Sequence, residues 1–265
     1  MRNWQRWILM AMTALCAATA LWCGALYLSQ LRDQAELEKL AEEILRPESS
    51  DALPGTAELP AMALDGSQGV SGAAVDFSSL TAQNGDVVAW IEIPDAGISQ
   101  PIVQGPDNDT YLRRNFYGEE SVSGTLFLDY ANSPDFSDGN SIIHGHNFFD
   151  GSTKMFSALP RYTDLSFWQE NPEIELLTPD DGALVYRIFA VCQFDVSDSD
   201  AAQAFYRQDF RSNSFESEYT QALQNRSVIQ TGETVPAGSR LLTLSTCDRS
   251  IYGEAGRLVV VGYLV

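Results

Sequence analysis

The last twenty-five residues, Leu241 to Val265, read LLTLSTCDRSIYGEAGRLVVVGYLV, and the rest of the chain is understood from them. Leu241–Cys247 and Arg257–Val265 are apolar, β-branched runs of strand type. Asp248–Gly256 between them is polar and carries two glycines, which suits a loop between antiparallel neighbours better than a crossover helix. Side chains repeat with period two along a strand. Cys247 is therefore in phase with Leu241, Thr243 and Ser245, and Arg257 with Val259 and Val261. A thiol and a guanidinium then share one end of one sheet, and a thiol beside a fixed positive charge is a candidate nucleophile.

Such a thiol needs a proton partner, because a cysteine with a pKa of about 8.5 is only a few per cent thiolate at neutral pH. The chain has two histidines, His144 and His146, both inside NSIIHGHNF (140–148). Ser141–His146 reads as a strand running into a Gly-Asn turn, so an imidazole also lies at a strand end. Cysteine, histidine and arginine at three strand ends can support acyl transfer. The alternatives are a buried strand cysteine and an ordinary surface arginine, against which stand the polar neighbours Ser245, Thr246 and Asp248. A zinc site built on His-x-His is a weak signal without CxxC or HExxH spacing.

Strand-like runs occur at Val87–Ile93, Ile98–Val103, Thr125–Leu128, Ser141–His146, Glu173–Leu177, Ala183–Phe194, Leu241–Cys247 and Arg257–Val265. Eight strands suggest a closed barrel, and periodicity alone allows a sandwich equally well. Short helices are expected at Asp76–Ala82 with Asp76 as N-cap, at Thr153–Leu159, at Leu165–Asn171, and in an insertion covering Asp200–Phe210 and Phe215–Gln224. The class is thus mainly β with short helices.

Trp7–Leu28 is apolar and uncharged, about 33 Å long as a helix, enough to cross a hydrocarbon layer. Arg2 and Arg6 precede it and all 36 acidic residues follow it, which puts residues 1–6 in the cytoplasm and the remainder outside. A cleaved signal peptide is the competing reading, disfavoured by the length of the run. Residues 30–75 read as a helix extending outward and then, from Pro47 to Gly72, a flexible linker giving reach, with few contacts to a catalytic domain at 76–265. The formal charge of −20 makes nucleic acid an improbable partner. Of four cysteines, Cys16 and Cys23 fall in the apolar helix and Cys192 in a strand, which leaves Cys247 as the free thiol.

TLSTC (243–247) with Arg257 ten residues on and GHN (145–147) about a hundred residues upstream resembles the sortases, the cysteine transpeptidases of Gram-positive envelopes. The resemblance spans residues 86–265. It includes DVVAWIEIPDAGISQPIVQG, DNDTYLRRNFYGEESVSGTLFLDY and FSDGNSIIHGHNFFDGSTKMFSAL, and points to class B. It implies an eight-stranded sortase barrel behind one transmembrane helix. It also implies cleavage of a C-terminal sorting signal after threonine through a thioester, and transfer of the surface protein to an amine of a peptidoglycan precursor. Cys247 would be the nucleophile, His146 the proton carrier and Arg257 the oxyanion stabiliser, with the Asp248 backbone N–H as a second donor and no metal or organic cofactor. Ser245 and Asn115 are further groove candidates. His144 departs from the class, where tyrosine is frequent before GHN. A pilin-polymerising sortase and a tethered, non-catalytic binding domain are the other readings.

Overall fold

A computed structural model of the chain describes residues 3–47, 73–208 and 213–265. Eight strands close into a barrel: β3 (Val87–Ile93), β4 (Ile98–Val103), β5 (Phe127–Leu128), β6 (Asn140–His144), β7 (Glu173–Thr178), β8 (Gly182–Asp195), β9 (Leu241–Cys247) and β10 (Gly256–Leu264). Their order around the barrel is β10-β8-β7-β3-β4-β5-β6-β9. Neighbours are antiparallel except β4–β5 and β6–β9, which are parallel. A sandwich is thereby excluded. The third run pairs only over Phe127–Leu128, because Thr125 is drawn into a loop by its bonds to Tyr111 and Arg114 carbonyls.

Two apolar layers follow from the alternation. Leu242, Leu244, Leu258 and Val260 fill the interior with Ala89, Ile91 and Ile143. Leu241, Val259, Val261 and Tyr263 point outward and are covered by the insertion, α4 (Ser199–Phe205) and α5 (Asn213–Arg226). The expected helix at Thr153–Leu159 does not form. Met155 has a φ of 49°, and a 3-10 turn over Leu159–Thr163 starts instead with Pro160 in its first turn, where a missing N–H costs nothing.

At the N-terminus α1 (Asn3–Ile44) is one helix of 42 residues. It is long and apolar enough to cross a membrane, and its most apolar stretch has no buried residue. Its second half is different. Leu40 and Ile44 are fully buried against Trp90, Val103, Phe116 and Phe127 on the outer face of β3–β5, and the Ser121 hydroxyl donates to Asp33 at 2.5 Å. The expectation of few contacts between this segment and the barrel is therefore corrected. Residues 48–72, the expected linker, lie outside the described residues. The described strands on either side of it, β1 (Leu45–Pro47) and β2 (Ala73–Val75), pair with each other. The chain then enters α2 (Phe77–Gln83), whose N-cap Asp76 accepts from the Ser79 N–H at 3.1 Å.

A truncation test follows. Deleting residues 1–29 should leave the docked half-helix and its stability, whereas deleting 1–75 removes Leu40 and Ile44. At about 1.5–3 kcal/mol per buried aliphatic side chain, the longer deletion should cost several kcal/mol, read as a lower denaturant midpoint. Equal midpoints would show that α1 only rests on the barrel.

Candidate active site

β9 and β10 pair with Cys247 directly opposite Arg257 and Ser245 opposite Val259. This is the outer face. It is covered by α4 and α5 along Leu241 and Val261, and it opens at its Cys247 end, where both the thiol and the guanidinium are half-buried. The connecting loop folds as α6 (Arg249–Tyr252), capped by the Asp248 carboxylate, which accepts from the Ser250 N–H at 2.9 Å and from the Gln193 amide. The loop closes at Gly256, where a Cβ would stand 1.8 Å from the Asp248 carbonyl oxygen, so only glycine fits. The same closure commits the Asp248 N–H to the Gly256 carbonyl at 3.0 Å. Its expected part as a second oxyanion donor is corrected on that ground. Arg257 Nη1 donates to the Glu254 and Gly256 carbonyls at 3.2 and 2.9 Å, and its other guanidinium nitrogens take no partner among the described residues. Two backbone anchors thus fix the fork and leave donors for a ligand.

The parallel β6–β9 pairing carries the histidines to the same end. His144 is level with Ser245, and cross-links persist beyond the strand. Gly145 N–H donates to Ser245 O at 3.1 Å, Thr246 Oγ1 to Gly145 O at 2.7 Å, and Asn147 Nδ2 to Cys247 O at 3.0 Å. His146 therefore travels alongside Cys247, two residues past the end of β6 and not within it as expected. Gly145 makes this possible, since a Cβ there would meet Leu126 at 2.3 Å. His146 Nε2 faces the Leu112 carbonyl at 2.8 Å; an acceptor there assigns the proton to Nε2 and leaves Nδ1 as the open nitrogen.

His144 is held differently. Its Nε2 meets Asp129 Oδ2 at 3.1 Å, and its ring lies against Phe127 and Tyr206. Asp129 also accepts from Asn108, Gln208 and the Ala131 N–H. Burial works to push this carboxyl up, but the hydrogen bonds from His144 and Ala131 outweigh it and hold Asp129 below the usual carboxylate range. The two imidazoles thus turn their Nε2 atoms to separate partners.

Ser245 is almost fully buried, and its hydroxyl shares a 2.8 Å hydrogen bond with the Tyr206 hydroxyl, so it belongs to the cleft wall. Asn115 is not brought to the cleft. Its Oδ1 accepts from the Tyr117 and Glu119 N–H groups and holds a surface turn, which withdraws it as a groove residue. The cleft, about 410 Å³, is lined by His144, His146, Cys247 and Arg257 together with Asn108, Leu112, Val196 and Tyr206. Sequence reasoning missed the last four. They come from three loops or element ends, and no motif or period marks them.

Residues 91–265 match the model of the sortase domain family. Sortase B of Listeria monocytogenes is 34% identical over 190 residues, covering 72% of this chain and 74% of that protein. Sortase B of Staphylococcus aureus is 28% identical over 189 residues, covering 71% and 74%. Among solved structures, sortase B of Clostridium perfringens superposes with a TM-score of 0.65 at 27% identity, over 72% of this chain and 100% of the other. Sortase B of Bacillus anthracis gives 0.69 at 27%, over 90% and 99%.

Proposed function

We propose, from the premise that this chain belongs to the sortase family and is a class B cysteine transpeptidase, that Cys247, His146 and Arg257 carry its acyl transfer. The observation that supports this most is the β9–β10 register, which makes the thiol and the guanidinium direct cross-strand partners, with His146 drawn alongside by three bonds to β9 and its flank.

In the first half-reaction the Cys247 thiol passes its proton to His146, and Sγ attacks the threonine carbonyl carbon of a sorting signal. The carbonyl π electrons move to oxygen, and the free donors of Arg257 stabilise the charge. The C–N bond then breaks, the leaving amine takes the proton from His146, and a thioester remains. In the second half an amine attacks the thioester, gives a proton to His146 and expels the Cys247 sulfur, which recovers it. One amide bond breaks and one forms, without oxidant or cofactor.

Substrates of the family are proteins with sorting signals and cell-wall precursors in general. For this chain the finer reading is cleavage after threonine in an Asn-Pro-x-Thr or Pro-x-Thr-Gly type signal and transfer to a peptidoglycan-precursor amine. Residues 7–29 would cross the membrane with 1–6 in the cytoplasm and the barrel outside. Chain lacking residues 1–29, given such peptides, should gain the mass of the N-terminal fragment as an adduct. Hydroxylamine should release that adduct as the threonine hydroxamate. Cleavage without an adduct would reject the thioester route.

Arg257→Lys keeps the charge but loses the planar fork. One lost oxyanion donor is worth on the order of 2.7–4 kcal/mol, so turnover should fall ~10²–10³-fold with a smaller change in KM. Turnover within a few-fold of the parent would reduce Arg257 to a structural clamp on the Glu254–Gly256 turn.

A further inference from the structure

The apolar run ending at Leu28 and the docked segment beginning at Asp33 belong to one uninterrupted helix, so the distance between span and barrel is set by helical rise. Five residues amount to about 7–8 Å, comparable to the headgroup layer on one side of a bilayer. The barrel surface met there is the 107–122 loop, which closes a cavity of about 610 Å³ with Leu26 and Ser29, residues at the end of the apolar run itself. Arg113, Arg114 and Val122 of that loop are exposed. The Arg113 guanidinium has no hydrogen-bond or ion-pair partner among the described residues, and Arg114 spends one nitrogen on the Gly118 carbonyl at 3.3 Å.

We infer that the 107–122 loop is a membrane-contact surface: with α1 across a bilayer, Arg113, Arg114 and Val122 lie in the phospholipid headgroup layer, the arginines on lipid phosphates. This rests on the reading that α1 crosses a membrane. A guanidinium fork matches a phosphate, and an exposed valine suits the glycerol level. Asp107, Asp109 and Glu120 line the same cavity and outnumber the two arginines, so the contact is with zwitterionic and not with anionic lipid. Within the same loop the Leu112 carbonyl holds His146, so one side of the loop faces lipid and the other orients the proposed proton carrier.

The test uses the full chain with Cys16, Cys23 and Cys247 replaced by alanine, Cys192 being fully buried and out of reach of label. A bimane is placed on Leu15→Cys, Val122→Cys or Glu43→Cys, and each protein is reconstituted in phosphatidylcholine vesicles carrying a nitroxide on the headgroup or in mid-acyl chain. Leu15 should be quenched by the acyl nitroxide. Val122 should lose emission about twofold or more to the headgroup nitroxide, whereas Glu43, about 22 Å farther along α1 than Leu28, should lose none to either. Quenching at Leu15 with Val122 as bright as Glu43 would overturn the loop contact and leave the span standing. An unquenched Leu15 would overturn the span reading and the loop contact with it.

Discussion

Replacing Cys247 with alanine should abolish the adduct and slow peptide cleavage by on the order of 10⁴–10⁶-fold, the loss seen when a covalent nucleophile is removed. Among the described residues the hydroxyls next to Cys247 are already engaged. The Ser245 hydroxyl is bonded to Tyr206, and the Thr246 hydroxyl donates to the Gly145 carbonyl. Cys192 is fully buried, and desolvation pushes its thiol up to about 12, so it supplies no thiolate at neutral pH. The substitution should also leave the cleft standing, because the bond from Asn147 ends on the Cys247 backbone carbonyl and survives loss of the sulfur. An unchanged thermal midpoint therefore belongs to the expected result. In chain lacking residues 1–29 a thiol reagent should add once, at Cys247. Cleavage by Cys247→Ala within tenfold of the parent would sink cysteine transpeptidation by this residue.

His146→Ala should lower turnover by about 10²–10⁴-fold, the usual contribution of a general acid–base, and added imidazole should restore part of it. The His144→Ala variant should keep turnover within roughly tenfold of the parent by the same scale. The difference comes from what each ring already does. His146 stands beside Cys247 with Nδ1 open, whereas His144 is level with Ser245 and is engaged by Asp129. Loss of His144 should appear as stability instead, since a largely buried carboxylate would lose one of its donors, worth about 1–3 kcal/mol. The sign in pH is set by Asp129. Its carboxyl is held below its ordinary value, so its stabilisation is present above that ordinary value and is lost as pH falls through the lowered one. Removing His144 should therefore make acid unfolding begin at higher pH. Equal, complete loss of turnover in both variants, with no imidazole rescue of His146→Ala, would refute the assignment.

Strand positions were legible because a strand announces itself within seven or eight residues. β3, β4 and β9 have the bounds that the apolar runs predict, and the terminal pair is antiparallel as its loop composition requires. Parity alone put Cys247 in phase with Ser245 and Arg257 in phase with Val259, so that the two share a face once the β9–β10 register is set. It did not say which face. β9 is buried on both sides from Leu241 to Thr246, interior and α5 layer being equally apolar, so no alternation distinguished inside from outside. The helical forecast at Thr153–Leu159 failed for a local reason as well, the left-handed Met155 and the position of Pro160.

What the sequence by itself determined was therefore the order and phase of the strands, the placing of Cys247 and Arg257 at one end of one sheet, the GHN turn and the apolar segment at the N-terminus. Only the tertiary structure decided that α1 docks on the barrel, that Asp129 engages His144, that Tyr206 holds Ser245, that Leu112 holds His146 and that Asn115 serves a turn. The physical reason is range. Periodicity is a property of neighbouring residues, but the Asp33–Ser121 bond joins residues 88 apart and the Asn147–Cys247 bond residues 100 apart. Such contacts exist only once the barrel has closed and brought those surfaces together. The groups that make them are single polar side chains whose partners no local pattern names.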